Sequence, residues 1–274
     1  MASKRKPKGY YTSSFDAIRK AQQLLDECDV RSVPVNLVSL ARHQGIKQIK
    51  EMDTRLDGQL LELEDGGYEV ILSKNASVAR KRFTLAHEIA HTLFAGQDSE
   101  GLACGEEAVE ELCNAAAAEI LIPSRFLQKT FPRGKEVTVE SILEVTRLFE
   151  CSLEAAAWRL LNSGLIEGAL LIWRLKTIPG QQPQVLELTS IPQTWGFQMP
   201  VSRGMELHPG DPLWQALMSD ESRLVELKGF HSGQSYQGEC YRLNKIVLVL
   251  IRTGARYQDR AVRERTTGQG KLAF

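Results

Sequence analysis

The sequence predicts an α+β protein, and three observations carry that prediction. Apolar residues recur at helical spacing in two early blocks, residues 14–43 and 82–123. Between these blocks the period shortens to two over residues 58–73, around a hairpin signal. From Gly168 onward strand-like runs return, joined by long connections rich in glycine and proline.

The elements follow in order. Ala2–Gly9 is basic and poor in apolar residues, which predicts a disordered tail over residues 1–13; the sharper alternative is a weak nucleic-acid arm. Ser14–Cys28 reads as an amphipathic helix with Phe15, Ile18, Ala21, Leu25 and Cys28 on one side. Asn36–His43 is a second, short helix, with His43 as an exposed residue at its C-terminal end before Gly45. Gly58–Leu63 and Tyr68–Ser73 are strands joined through Asp65-Gly66-Gly67. The second strand leads toward the next helix. It is expected to form the edge of a small sheet there, where an extended peptide can add itself as a further strand.

Arg82–Phe94 is a helix with Phe83, Leu85, Ala86, Ile89, Ala90, Leu93 and Phe94 at helical spacing and Gly96 as a stop. It contains His87, Glu88 and His91, an HExxH pattern. The four-residue step brings both imidazoles to one face, where they can grip one zinc ion. Glu88 is then placed to act as a base toward water. The bland alternative is a surface helix that carries these residues by chance. Against it, the helix has an apolar face, and a buried imidazole needs a partner. Arg80, Lys81 and Arg82 just upstream are expected to be partly solvated and partly paired with the acidic helix that follows. The functional alternative is that one of them binds substrate or orients the neighbours of Glu88.

A hydrolytic zinc takes three protein ligands. Gly105–Pro123 predicts an alanine-rich helix with a stripe of Val109, Leu112, Cys113, Ala116 and Ile120, ended by Pro123. Its small residues allow close packing on the first helix. Glu110 can supply the third ligand, and Asn114, four residues on, can hydrogen-bond a ligating histidine from outside. Glu106, Glu107, Glu111 and Glu119 compete for the ligand role, and spacing alone leaves them open. Cys113, on the apolar stripe, reads as a small core residue.

After the loop Lys129–Lys135 a boundary is expected. Thr138–Phe149 and Ser152–Asn162, with Ser152 as N-cap and Gly164 as stop, have helix-turn-helix spacing. The second helix offers only Arg159 and Asn162 among apolar residues. That favours packing or docking on a repressor over direct reading of DNA. In the last part Ala169–Leu175, Val185–Leu188 and Lys245–Arg252 read as strands and Pro212–Met218 as a helix. His208 and His231 stand alone in loops and read as structural or exposed. Trp173, Trp195, Trp214 and Tyr241 are read as core in preference to pocket lining.

The bulk numbers narrow the function classes. The 274 residues are 43% apolar and 25% charged, and their formal net charge is zero. No overall field therefore draws the chain to nucleic acid or membrane. Five widely spaced cysteines without a CxxC argue against a disulfide framework and for a reducing cytoplasm. No apolar run reaches membrane-spanning length, and Met1–Tyr11 lacks the apolar core of a signal peptide.

The run RFTLAHEIAH (82–91), followed by EELCNAAAAEILIP (110–123), resembles the ImmA/IrrE family of zinc metallopeptidases. The lead-in GYEVILSKNASVARKRFTLAHE resembles the family's strand and arginine-bearing approach. The strong resemblance spans about Pro34–Pro123, and the Cys-Asn-Ala run is most like the IrrE branch, which regulates the response to radiation and desiccation. The resemblance implies a small zincin-like core over residues 14–132. Its zinc ligands would be His87, His91 and Glu110, its base Glu88, with Asn114 outside the ligands. Glu110 is chosen over Glu111 by its place four residues before Asn114. Mn2+ is admitted as an activating metal. The resemblance further implies a helix-turn-helix-like segment (133–166), a GAF-like α+β domain (167–255) receiving a small-molecule or redox signal, and a flexible tail (256–274). The implied activity is cleavage of an XRE-type helix-turn-helix repressor, which relieves repression of stress genes. The competing class is a non-catalytic regulator that binds a repressor or DNA.

Overall fold

The computed structural model describes residues 14–95, 106–132, 134–177, 184–194, 196–197, 199–219, 223–227 and 236–252. The two expected tails, the stop at Gly96, Trp195 and His231 lie outside them. The chain forms two compact units. One takes the residues up to Thr130 together with Val145–Ser152; the other takes Phe131–Glu144 and the residues from Leu153 onward. The helical segment expected over residues 133–166 is thus divided between them.

In the first unit, α1 (Ser14–Glu27) and α2 (Leu37–His43) precede strand β1 (Ile46–Met52). The side chain of Asn36 caps α2 by accepting from the backbone N–H of Ser39. Strands β2 (Gly58–Glu62) and β3 (Tyr68–Ser73) follow, then α3 (Val78–Phe94), α4 (Glu106–Leu121) and α5 (Ser124–Thr130). The strand order is β1-β3-β2, with β1 parallel and β2 antiparallel to β3. Both glycines of the β2–β3 turn, Gly66 and Gly67, take positive φ, as the tight turn demands.

Two expectations are corrected here. β3 is the central strand and not the edge. The reason is β1, whose pattern is weak in sequence: Ile46, Ile49 and Met52 are the apolar residues of IKQIKEM, and all of its side chains but Ile46 and Ile49 are exposed. It is held by the ladder to β3 more than by apolar burial. In α1 the buried line is Ala17, Ala21, Leu24 and Leu25, while Phe15 is exposed. α1 packs on the alanine-rich α4, and close approach favours the small side chains of Ala17 and Ala21 over a phenyl ring.

α3 starts a turn earlier than Arg82, because the Ser77 side chain accepts from the backbone N–H of Arg80 and caps it. This places the basic run beside the β1–β2 region. Arg80 pairs with Asp57, Lys81 with Glu51, and Arg82 with Glu150 and the carbonyl of Val35. The expected pairing with the acidic helix α4 is replaced by these partners. α3 buries Leu85, Ala86, Ile89, Ala90 and Phe94; α4 buries Leu112, Cys113, Ala116, Ala117, Ile120 and Leu121. The two helices pack closely on each other. Each fully buried large apolar side chain contributes about 1.5–3 kcal/mol to that contact.

α6 (Val139–Phe149) and α7 (Leu153–Leu161) come next. Thr138 and Ser141 cap α6 reciprocally, each hydroxyl accepting from the other's backbone N–H. The second unit holds a six-stranded sheet in the order β6-β5-β4-β9-β8-β7. Its strands are β4 (Gly168–Lys176), β5 (Val185–Ser190), β6 (Glu206–Leu207), β7 (Arg223–Leu227), β8 (Tyr236–Leu243) and β9 (Ile246–Arg252), with helix α8 (Pro212–Met218). Every pairing in it is antiparallel. β4 and β9 lie at its centre and are almost continuously buried. β6, β7 and β8 were not legible in sequence; YQGECYRL mixes charge and glycine into a half-buried strand. Trp173 is fully buried, and Trp214 packs against the same apolar cluster. His208 is exposed.

Candidate metal centre

α3 and α4 supply all the side chains of the site. The four-residue step in α3 sets His87 and His91 one turn apart, ring centroids 4.8 Å from each other. Their Nε2 atoms are 3.1 Å apart. Glu110, on α4, reaches both: one carboxylate oxygen is 3.1 Å from His87 Nε2 and the other 3.4 Å from His91 Nε2. Among the described residues this is the group able to hold a metal ion.

These separations fit a bound cation. Ligands about 2.0–2.2 Å from a tetrahedral zinc stand roughly 3.3 Å from one another. Two facing imidazole nitrogens at this distance also repel through their lone pairs unless a proton or a cation lies between them. Burial, with His87 adding to it, pushes the pKa of His91 below its ordinary value, and Glu110 opposes this. The neutral, ligating form is thereby favoured.

The competing carboxylates are disposed otherwise. Glu107 and Glu111 are exposed on α4, as Glu110 is, but among the described residues Glu110 is the carboxylate grouped with both histidines. Glu119 is buried at 1% exposure, away from the histidines in the bonding network. It accepts from the Ser124 N–H at 2.9 Å, from the Ser124 hydroxyl at 2.7 Å and from Gln22 at 3.2 Å. It therefore caps α5 and ties α1 to α4. The side chain of Glu106 lies outside the described residues.

Glu88 projects from α3 beside the pair, with 7% exposure. Burial first, and repulsion by Glu110 second, raise its pKa from 4.5 to about 7. It faces β2: a Cβ placed on Gly58 would lie 3.0 Å from Glu88 Oε1 and 2.2 Å from Thr84 Cγ2. Only glycine lets the strand pass this close. The sequence offered no signal for Gly58 beyond its place at the start of a strand.

The outer nitrogens of both histidines are also met. His87 Nδ1 lies 3.1 Å from Asn114 Oδ1, and His91 Nδ1 lies 3.5 Å from Cys113 Sγ. Cys113 is fully buried, as a core residue would be, but it also touches a histidine. Burial and the charges of Glu110 and Glu88 push its thiol up to about 12.

Two histidines and a carboxylate from a second helix, with a buried carboxyl alongside, form the donor set that metal-dependent hydrolases use. Residues 41–161 match the IrrE N-terminal-like domain of the M78 peptidases, which supports placing this stretch in the ImmA/IrrE family. It is 32% identical over 114 residues to the radiation response metalloprotease IrrE of Deinococcus radiodurans, covering 35% of this chain and 33% of that one. To the protein of the same name from Deinococcus deserti it is 31% identical over 110 residues, covering 35% and 38%. The match thus spans little more than a third of the length of these relatives. A Mycobacterium tuberculosis transcriptional regulator of known structure aligns over 86% of this chain and 75% of its own, with TM-score 0.47 and 15% identity.

Proposed function

We propose that the chain is a zinc-dependent, site-specific endopeptidase that cleaves an XRE-type helix-turn-helix repressor and so derepresses stress-response genes. The observation that carries this reading is the convergence of His87, His91 and Glu110, with Glu88 buried beside them. The family match supports a peptidase, and the name shared by both relatives supports a role in radiation response.

His87, His91 and Glu110 would hold the ion. A bound divalent cation supplies Lewis-acid chemistry, polarising the scissile carbonyl and acidifying water. Glu88, near neutrality in its pKa, takes the proton of the attacking water and returns it to the leaving nitrogen. Asn114 accepts from His87 and holds that ring in place. Mn2+ serves as an alternative activating ion, since the set includes one carboxylate.

β2 is an outer strand of its sheet and passes beside Glu88. An extended substrate segment pairing with its free edge would lie along the site. Residues 167–255 are read as a GAF-like sensor for a small-molecule or redox signal, and residues 133–166, with α6 and α7, as a helix-turn-helix-like segment that docks on protein; layout supports both. A cytoplasmic setting agrees with the free thiols of Cys28, Cys113, Cys151 and Cys240. Among the described residues no helix is long and apolar enough to cross a membrane.

The test is incubation of the purified chain with XRE-type repressors from its own genome, with and without chelator. Discrete fragments that need metal, and that Glu88→Gln does not make, support the reading. A shifted complex with intact repressor, in stressed-cell extract as well as in buffer, replaces it with that of a binding protein.

A further inference from the structure

We infer that Cys113 is a positioning residue for His91: its buried sulfur accepts the Nδ1 hydrogen of that ring and so turns Nε2 toward His87 and Glu110. The inference rests on the metal-centre reading above and goes beyond it. An imidazole that ligates through Nε2 carries its proton on Nδ1, and that N–H needs an acceptor. For His87 the acceptor is Asn114 Oδ1 at 3.1 Å; for His91 the atom in reach is Cys113 Sγ at 3.5 Å.

The arrangement comes from one face of α4. Glu110, Cys113 and Asn114 stand at steps of three and four residues, so they share a side of the helix. That side faces α3 and meets both histidines with the third donor and both outer partners. The two outer partners differ in one respect. Asn114 is exposed, so water can take its place when it is removed. Cys113 has no exposed surface, and removing its sulfur takes from the His91 N–H an acceptor that sits inside the core. The smaller residue therefore carries the larger effect. An aliphatic replacement of similar size would preserve the packing and lose this function.

The test is zinc affinity of the full chain, measured by competition with a chromophoric chelator, alongside thermal unfolding of the metal-free protein. Cys113→Ala is expected to weaken zinc binding about tenfold or more, and Asn114→Ala less, within the range known for outer partners of metal ligands. The metal-free unfolding midpoint of Cys113→Ala falls modestly, by the cost of the lost sulfur's packing, and Cys113→Ser recovers part of the lost affinity. Unchanged zinc affinity in Cys113→Ala overturns the inference. So does an affinity loss matched by lost metal-free stability that serine does not recover, because that pattern is packing alone. If the wild-type chain itself takes up no zinc, the metal-centre reading fails first and this inference falls with it.

Discussion

Glu88→Gln separates the chemistry of the site from its stability. In the metal-free protein Glu88 is buried, and its pKa rises from 4.5 to about 7. The folded state therefore holds a proton that the unfolded chain has lost. A raised folded pKa contributes stability that is present below the unfolded value and disappears as pH climbs through the folded one. Over the interval from 4.5 to about 7 the metal-free protein should lose about 2–3 kcal/mol from this carboxyl alone. Glutamine has the same shape and no charge to desolvate. Metal-free Glu88→Gln should then be more stable than wild type by about 2–3 kcal/mol near pH 8, and nearly equal to it near pH 4. Zinc should narrow the gap, since a nearby cation favours the carboxylate. The assay is urea unfolding of chelator-treated protein followed by helical circular dichroism, because all four tryptophans lie beyond residue 157 and report on other parts of the chain. The same variant should still bind zinc and should lose repressor cleavage by about 100-fold or more. Parallel pH dependence of stability in wild type and Glu88→Gln would refute the burial argument, and undiminished cleavage would refute the assignment of the base.

Other variants probe the surroundings. Gly58→Ala drives a methyl group into Thr84 Cγ2, costing about 1–3 kcal/mol and displacing Glu88; Thr84→Ser should relieve much of the loss, read by unfolding and by cleavage. Glu119→Ala strips the Ser124 N–H and Gln22 of their acceptor and should cost about 2–4 kcal/mol in urea unfolding while zinc content measured by mass spectrometry stays the same. Glu110→Gln should weaken zinc binding in chelator competition, whereas Glu111→Gln should leave it unchanged. Treatment with chelator should abolish cleavage, and added zinc should restore it.

How much was legible in sequence follows from which signals are local. The helices around the centre were readable because α3 and α4 carry apolar stripes and HExxH sits at one-turn spacing. The choice of Glu110 among five glutamates was not readable from spacing, since four of them lie within one stretch of α4. It took the packing of α4 on α3 to bring that one carboxylate to both histidines and to send Glu119 to the N-terminus of α5. β1 escaped notice because its hold is a backbone ladder to β3, and side-chain patterns do not report backbone partners. The partners of Arg80 and Lys81 likewise depended on which acidic loop residues the fold brought near.

By itself the sequence determined the helix-borne histidines, the glutamate beside them and the segregation of strands from helices, because each is written in steps of two, three or four residues. Tertiary structure alone decided that β3 lies inside its sheet, that Gly58 passes against Glu88 and that Cys113 meets His91. The β1–β3 ladder and the other two contacts join residues between 21 and 30 positions apart, and no short-range period encodes such a distance.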